Sequence, residues 1–244
     1  MLAIIGGSGL TQWSGMQGAE RRAVRTPYGE PSAALVFGRI GRRDVVFLAR
    51  HGERHSFAPH EVNYRANLWA LKDAGALEVL SVATVGAIRA ALAPGALVLP
   101  DQIIDYTWGR HATYHEGPGA VVKHIDFTEP YSHELRSRIR EAARACGEKL
   151  ADGGVYAATQ GPRLETAAEI DRLERDGADI VGMTAMPEAA LAREISLEYA
   201  AIAVVANHAA GRGDAKRAVP LERIATVLEE AMGRVRRIIE RLCA

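Results

Sequence analysis

Apolar residues along this chain recur in two alternating patterns, one typical of buried strands and one typical of helices. Short apolar runs predict strands at residues 2–5, 34–37, 45–49, 79–85, 97–106, 154–159, 179–183 and 201–206. Apolar positions at helical spacing, bounded by serine, proline or glycine, predict helices at residues 63–74, 132–149, 165–176, 187–198 and 221–242. Because no linker is long enough to divide the chain, this alternation predicts one α/β domain over residues 1–244, with a largely parallel or mixed sheet.

The composition narrows the class of protein. Of 244 residues, 48% are hydrophobic and 25% are charged, which is typical of a globular chain. The 30 basic and 30 acidic residues give a formal net charge of zero, which argues against nucleic acid or an anionic membrane as the main partner. Two cysteines are too few for a secreted disulfide framework, and we recognise neither a signal peptide nor a membrane-spanning run. We therefore expect a cytoplasmic enzyme.

Three predicted strands are followed by residues suited to an oxyanion. The first leads into Gly6-Gly7-Ser8-Gly9, which matches neither a Walker loop nor a full dinucleotide fingerprint and is either an anion-binding turn or an ordinary one. Arg50 follows the third predicted strand, and Thr184 follows the seventh. Ligands of α/β proteins bind beyond the carboxyl ends of strands, and arginine pairs with phosphate bidentately. This pattern favours an anion bound by Ser8, Arg50 and Thr184.

Two further strand-end residues are suited to the polar edge of a heterocycle. Asn207 follows the last predicted strand, and its amide both donates and accepts hydrogen bonds. Glu165 is in the first turn of a predicted helix that follows a predicted strand, where it either caps the helix through the helix dipole or accepts an N–H from a ligand. We identify no serine, cysteine or lysine with the pattern of an activated nucleophile. His51, His55 and His60 lack the spacing of a zinc site, so we expect no metal.

Six short motifs follow one another along the chain. They are Ile-Ile-Gly-Gly-Ser-Gly-Leu (4–10), Leu-Ala-Arg-His-Gly (48–52), Asn-Tyr-Arg-Ala-Asn (63–67), Asp-Gln-Ile-Ile-Asp (101–105), Gln-Gly-Pro-Arg (160–163) and Gly-Met-Thr-Ala-Met-Pro-Glu (182–188). In this order they resemble the purine nucleoside phosphorylase and 5′-methylthioadenosine phosphorylase family, over nearly the whole chain. The resemblance implies a mixed, partly barrel-like sheet flanked by helices and assembly as a homotrimer. It also implies cleavage of a nucleoside with inorganic phosphate as co-substrate and no cofactor.

The same resemblance assigns roles to individual positions. The phosphate ligands that it implies are Ser8, Arg50, His51 and Thr184. Met183 would lie against the ribose, and the loop around His124 would reach the site of a neighbouring subunit, near the 5′ end of the nucleoside. The family commonly has a threonine where this chain has Ala83, and Thr84 is the adjacent hydroxyl that would replace it.

Two positions of the resemblance bear on the purine base, and two bear on the 5′ group. Family members that use adenine have a small hydroxyl residue and an aspartate where this chain has Glu165 and Asn207, whereas 6-oxopurine phosphorylases have glutamate and asparagine. In place of a polar residue for the 5′-hydroxyl, this chain has Leu221, or Val219 if the gap is placed differently. An apolar wall suits a methylthio group. We therefore expect a phosphorylase of 5′-methylthioinosine, with Glu165 and Asn207 acting on the leaving base.

Four alternatives remain open from the sequence. Two are phosphorylases, one specific for 5′-methylthioadenosine and one acting broadly on 6-oxopurine nucleosides. A third is a hydrolytic nucleosidase on the same fold, which would need no phosphate. The fourth is a nucleotide-binding module without catalysis, which would leave the predicted phosphate ligands without a role.

Overall fold

Eleven strands form a single mixed sheet in the computed structural model, which describes residues 1–13 and 15–244. The strands are β1 (Leu2–Gly6), β2 (Gln17–Arg22), β3 (Leu35–Ile40), β4 (Arg43–Ala49), β5 (Glu78–Ala87), β6 (Leu97–Leu99), β7 (Gln102–Asp105), β8 (Ala151–Asp152), β9 (Val155–Ala158), β10 (Ile180–Gly182) and β11 (Glu198–His208). The helices are α1 (Tyr64–Asp73), α2 (His133–Ala145), α3 (Ala167–Arg175), α4 (Ala185–Glu194) and α5 (Leu221–Leu242).

The centre of the sheet is parallel. β1 pairs with β4 on one side and with β5 on the other, and β5 pairs with β11 along almost its whole length. Every residue of β1 is buried, and so are most residues of β4, β5 and β11, which is why these strands read as continuous apolar runs. The carboxyl ends of the four strands therefore meet at one edge of the sheet.

The sheet also closes on itself, which confirms the mixed and partly barrel-like architecture. β5 pairs with β11, which pairs with β6, while β10 pairs with both β5 and β9. The ring of strands is completed because β6 is followed directly by β7 and β8 directly by β9. The pairs β6–β8 and β7–β9 are parallel and have the same register, so they form one interrupted ladder. The single strand predicted at 97–106 is thus divided at Pro100 and Asp101. Proline has no N–H for the ladder, and Asp101 instead accepts a 2.9 Å hydrogen bond from the Gly154 amide.

Three predicted helices have bounds that differ by two or more residues from those in the structure. α3 begins at Ala167, after a capping box in which Thr166 and Glu169 exchange hydrogen bonds, so Glu165 lies before the helix and does not cap it. α4 spans Ala185–Glu194 instead of 187–198, because the residues from Glu198 onward pair with β5 as part of β11. α2 also ends earlier than predicted, at Ala145.

Strand β2 was not predicted because its sequence carries no apolar pattern. All of its residues are exposed, and in the described part of the chain it pairs only with β3, at the edge of the sheet. The helices cover the faces of the sheet, and α5 buries a stripe of Leu228, Met232, Val235 and Ile239 against the core. Among the described residues, no helix is long and apolar enough to cross a membrane.

Candidate active site

A cavity of about 530 Å³ lies where the strands of the central sheet end. Nine of the side chains predicted from the sequence line it together: Ser8, Arg50, His51, Thr84, Glu165, Met183, Thr184, Asn207 and Val219. They come from seven separate segments of the chain. Parallel pairing of β1, β4, β5 and β11 brings several of them together, and β10, which precedes Thr184, reaches the same place by pairing antiparallel with the carboxyl end of β5. Gly6 is level with Ala49 in the sheet, so the residues that follow β1 and β4 emerge side by side.

Arg50 is completely buried, and most of its hydrogen-bonding capacity is used by the protein itself. Its Nε and Nη2 atoms donate to the two carboxylate oxygens of Glu188 at 2.7 and 2.9 Å. Nη2 also donates to Ser81 Oγ, and Nη1 donates to the Val82 carbonyl at 3.0 Å. Burial disfavours the charged guanidinium, but the adjacent Glu188 carboxylate outweighs this effect and raises the pKa of Arg50.

This arrangement contradicts the expectation that Arg50 binds phosphate through two parallel hydrogen bonds. Nε and Nη2 of Arg50 are already paired with the carboxylate of Glu188, so a bidentate contact to a ligand would require breaking a buried ion pair. A guanidinium has five N–H groups, and the second hydrogen of Nη1 has no partner among the described residues. Because Arg50 lines the cavity, this single N–H is the one available to an anion.

The turn after β1 comes unusually close to the guanidinium. A Cβ atom added at Gly7 would lie 2.6 Å from the Val82 carbonyl oxygen and 2.8 Å from Arg50 Nη1. Only glycine permits this approach without displacing one of those atoms. The next residue, Ser8, lines the cavity, and its carbonyl accepts a hydrogen bond from Thr84 Oγ1 at 3.2 Å. Thr84 therefore attaches the glycine turn to β5 as well as lining the cavity.

His51 follows Arg50 into the cavity and is held in one tautomer. Its Nδ1 lies 2.8 Å from the Phe57 carbonyl oxygen, which only accepts hydrogen bonds, so Nδ1 carries a hydrogen. Burial, followed by the charge of Arg50, lowers the pKa of His51 to about 4. Near neutral pH the imidazole is therefore uncharged, and its Nε2 is an acceptor in the absence of a bound anion.

Glu165 and Asn207 each keep hydrogen-bonding groups for a ligand. Glu165 Oε1 accepts a 2.6 Å hydrogen bond from Thr159 Oγ1, and its Oε2 has no partner within the described part of the chain. Asn207 lies inside β11, at an irregularity in the pairing with β5, instead of after the strand. Its Nδ2 donates to the His208 carbonyl at 2.7 Å, which leaves the amide oxygen and one N–H.

Of the two residues predicted for the apolar wall, Val219 lines the cavity and Leu221 does not. Val219 lines the cavity together with Ile224, which the sequence did not single out for the site. Leu221 lies outside the cavity and is 61% exposed, so its assignment to the wall is wrong for the single chain. His124 is also exposed and lies outside this cavity, and its contact with a neighbouring subunit stays a prediction.

The chain matches the phosphorylase superfamily over residues 1–244. It belongs to that superfamily. A relative in Pseudomonas syringae pv. tomato, named "Probable S-methyl-5′-thioinosine phosphorylase", is 51% identical over 240 residues, covering 98% of this chain and 97% of the relative. The 6-oxopurine nucleoside phosphorylase of Pyrococcus furiosus is 44% identical over 220 residues, covering 88% and 82%. These matches confirm the resemblance seen in the sequence motifs and the expectation of a phosphorylase-type enzyme.

Solved structures of the superfamily have the same fold. Methylthioadenosine phosphorylase from Schistosoma mansoni in complex with adenine superimposes with a TM-score of 0.94 at 33% identity, covering 99% of this chain and 90% of that one. A mutant of the same Schistosoma enzyme in complex with methylthioadenosine gives a TM-score of 0.93 at 32% identity, with the same coverage.

Two residues of this superfamily member matter for the site but were assigned no role from the sequence. Glu188 is fully buried and pairs with Arg50, and no local pattern marks which cation a buried carboxylate will meet. Arg110, from the segment between β7 and α2, donates to the carbonyls of Gln160 and Met183, both at 2.8 Å. It thereby links the segments that carry Glu165 and Thr184. Among the described residues no cluster of three or more metal-ligating side chains is present.

Proposed function

We propose that this enzyme catalyses the phosphorolysis of S-methyl-5′-thioinosine to hypoxanthine and 5-methylthioribose 1-phosphate. One observation carries the proposal. A single cavity is lined by oxyanion ligands such as Arg50 and Thr184, by the polar pair Glu165 and Asn207, and by the apolar side chain of Val219. The names of the similar proteins support it, because two are named "Probable S-methyl-5′-thioinosine phosphorylase" and another "6-oxopurine nucleoside phosphorylase".

The polar pair favours a 6-oxopurine over adenine. Hypoxanthine carries a proton on N1, which Glu165 Oε2 can accept, whereas N1 of adenine has a lone pair that would face the carboxylate. The remaining N–H of Asn207 suits O6, and its amide oxygen suits a protonated N7. A site built on such pairs can reject an analogue that lacks them by up to about 10⁴–10⁵-fold.

The apolar residues favour a methylthio group at the 5′ position. Val219 and Ile224 line the same cavity as the polar pair, and neither side chain can hydrogen-bond a 5′-hydroxyl. Burial of a methylthio group against them is favourable by about 25 cal/mol for each Å² of apolar surface removed from water. Inosine, with a hydroxyl at this position, should therefore be the weaker 6-oxopurine substrate.

The remaining cavity residues suit the second substrate. We assign inorganic phosphate to Ser8, Arg50, His51, Thr84 and Thr184, with no further cofactor or metal. His51 Nε2 is an acceptor, so its partner is the P–OH group of the monoprotonated phosphate. Phosphate attacks the far face of the sugar, and its negative charge stabilises the oxocarbenium character that develops on the ribose. Met183 packs against the sugar. As the glycosidic bond breaks, the purine takes up a proton from water at N7, and the amide oxygen of Asn207 accepts a hydrogen bond from this N7–H. Glu165 accepts a hydrogen bond from N1–H, so both side chains stabilise the departing purine.

We also propose that the enzyme is a homotrimer. The segment between β7 and α2 exposes Trp108, Val121 and Val122, which are 72–82% exposed in the single chain, and it carries His124. Exposed apolar side chains grouped on one segment are typical of a surface covered by another subunit. Light scattering after size exclusion tests the assembly, and a monomer would contradict it. The cytoplasmic location stays a prediction from the sequence, which cell fractionation tests.

The deciding experiment compares three nucleosides in the presence and absence of phosphate. S-methyl-5′-thioinosine should have the highest kcat/KM, above inosine and 5′-methylthioadenosine, and release of base should depend on phosphate. A preference for methylthioadenosine would refute the role given to Glu165 and Asn207. Comparable rates with inosine would make the enzyme a broad 6-oxopurine phosphorylase. Undiminished turnover without phosphate would make it a hydrolase, and binding without release of base would leave only a nucleotide-binding module.

A further inference from the structure

Thr159 contacts the Glu165 carboxylate, and its own backbone is fixed by hydrogen bonds. It follows β9, and its amide donates to the Gly182 carbonyl at 2.8 Å, next to the end of β10. Its own carbonyl accepts a hydrogen bond from Arg110 at 3.3 Å. The position of this residue is therefore set by two neighbouring elements and does not depend on its side chain.

The side chain of Thr159 makes a short contact to Glu165. Thr159 Oγ1 is 2.6 Å from Glu165 Oε1 and 3.3 Å from the Gly182 carbonyl oxygen. A hydroxyl has one proton to donate, and 2.6 Å is the length of a charge-assisted O–H···O⁻ bond, so the proton belongs to the carboxylate contact. Thr159 does not line the active-site cavity, whereas Glu165 does.

Glu165 depends on this bond for its orientation. The residue lies in the loop between β9 and α3, is half-buried, and follows three exposed residues. The capping of α3 is done by Thr166 and Glu169 and does not involve it. The hydrogen bond from Thr159 is the only one that the Glu165 side chain makes within the described part of the chain. Without it, the carboxylate would be free to rotate away from the base.

We propose that Thr159 is a positioning residue that determines base specificity through Glu165. Its hydroxyl occupies Oε1 and leaves Oε2 as the acceptor for N1–H of a 6-oxopurine. A carboxylate fixed in this way binds the correct base without a further cost in side-chain entropy. It also cannot turn aside for adenine, whose N1 lone pair it repels. The inference rests on the proposed function and adds a residue to it that does not touch the substrate.

The test is Thr159→Val, which keeps the shape and the β-branched stem but removes the donor. We expect KM for S-methyl-5′-thioinosine to rise about tenfold, with a smaller change in kcat, because a hydrogen bond to a charged group that orders the site is lost. KM for phosphate should stay unchanged. Activity on 5′-methylthioadenosine should hold or rise, so that discrimination between the two nucleosides falls by about tenfold. Thr159→Ser retains a hydroxyl and should restore discrimination.

A matched control exists on the same chain. Thr113 Oγ1 donates to Glu194 Oε1 at the same distance of 2.6 Å, and neither residue lines the cavity. Thr113→Val should reduce the free energy of unfolding to a similar extent but leave base discrimination unchanged. In a Glu165→Gln background, Thr159→Val should have little further effect on discrimination, because its action passes through that carboxylate.

The outcomes separate this inference from the proposed function. If the wild-type enzyme prefers methylthioadenosine, the proposed function fails. Suppose that the wild type prefers S-methyl-5′-thioinosine, and that the preference of Thr159→Val is within about twofold of the wild-type preference. Then only the role of Thr159 is refuted. An undiminished effect of Thr159→Val in the Glu165→Gln background would refute it as well. Should the valine variant fold poorly, Thr159→Ala is measured in the same way and decides between the same results.

Discussion

The buried pair of Arg50 and Glu188 offers the sharpest test of how the phosphate side of the cavity is built. The perturbation is Glu188→Gln, which keeps the size of the side chain and removes its charge. Both partners are completely buried, with 0% exposure. The variant therefore leaves the Arg50 guanidinium charged in the protein interior without its counter-ion.

The expected magnitude follows from the contacts of Glu188. Its Oε1 accepts from Arg50 Nη2, Ser81 Oγ and the Tyr199 hydroxyl, the last two at 2.8 Å. Among the described residues, Oε2 accepts only from Arg50 Nε. A glutamine keeps most of these hydrogen bonds if its NH₂ group takes the place of Oε2. That NH₂ group then faces the Arg50 Nε–H, so two donors oppose each other. Removing one partner of a buried ion pair costs about 3–5 kcal/mol. We expect a loss of stability in that range.

The assay is equilibrium urea unfolding at fixed protein concentration, with Glu194→Gln as the matched control. Glu194 is a second buried carboxylate of α4, but it accepts from the Thr113 hydroxyl and the Tyr114 amide and forms no ion pair among the described residues. Its glutamine variant should lose only about 1–2 kcal/mol. Inorganic phosphate should stabilise Glu188→Gln more than the wild type, because an anion beside Arg50 replaces part of the missing charge.

A Glu188→Gln enzyme as stable as the Glu194→Gln control to within about 1 kcal/mol would contradict the expected cost of an unpaired buried guanidinium. That result would mean that the guanidinium finds another partner or water when its carboxylate is neutralised. Equal stabilisation of variant and wild type by phosphate would show that the anion does not lie beside Arg50. The assignment of Arg50 as a phosphate ligand would then be lost, although the fold would be unaffected.

Three further predictions concern single residues of the cavity. Asn207→Ala should lower kcat/KM by about 10²–10³-fold, the loss typical of one group that stabilises developing charge, and near-normal steady-state kinetics would remove it from the mechanism. Between pH 7 and 5 the free energy of unfolding should fall by about 2 kcal/mol more in the wild type than in His51→Asn. In the unfolded chain the imidazole takes up a proton below its ordinary pKa of 6.5, whereas in the folded protein burial and Arg50 hold the pKa of His51 at about 4. Equal pH dependence in urea titrations would contradict this. Gly7→Ala should raise KM for phosphate about tenfold, since the new methyl group displaces Arg50 Nη1, and an unchanged KM would show that the turn can move without cost.

Much of the site was predictable because strand ends are local features. Ser8, Arg50 and Thr184 all follow apolar runs. Parallel pairing of the central strands brings Ser8 and Arg50 to one edge. Thr184 reaches that edge differently, because β10 pairs antiparallel with the carboxyl end of β5. The boundaries of α4 and β11 were less predictable, since residues near Glu198 have an apolar pattern that suits either a helix or a strand. Pairing with β5, about 120 residues earlier in the chain, decided between the two.

The wall near Val219 shows a second kind of limit. The sequence offered Val219 and Leu221 as alternatives, and both are apolar residues close to the start of α5. The first lines the cavity, the second is exposed, and Ile224 one turn further along the helix completes the wall. Which side chain faces the cavity depends on the rotation of the helix about its axis, which is fixed by packing of its buried stripe against the sheet.

Periodicity and turn chemistry act over a few residues, so the amino-acid sequence was enough to predict the α/β class, where the main strands lie along the chain, and which polar residues follow them. Only the tertiary structure decided how those residues are bonded. In the folded chain, the Arg50 guanidinium pairs with Glu188, His51 is held in one tautomer, and Thr159 donates to one oxygen of Glu165. These contacts depend on the distance between side chains on different elements, which packing of the whole chain sets and no local pattern encodes.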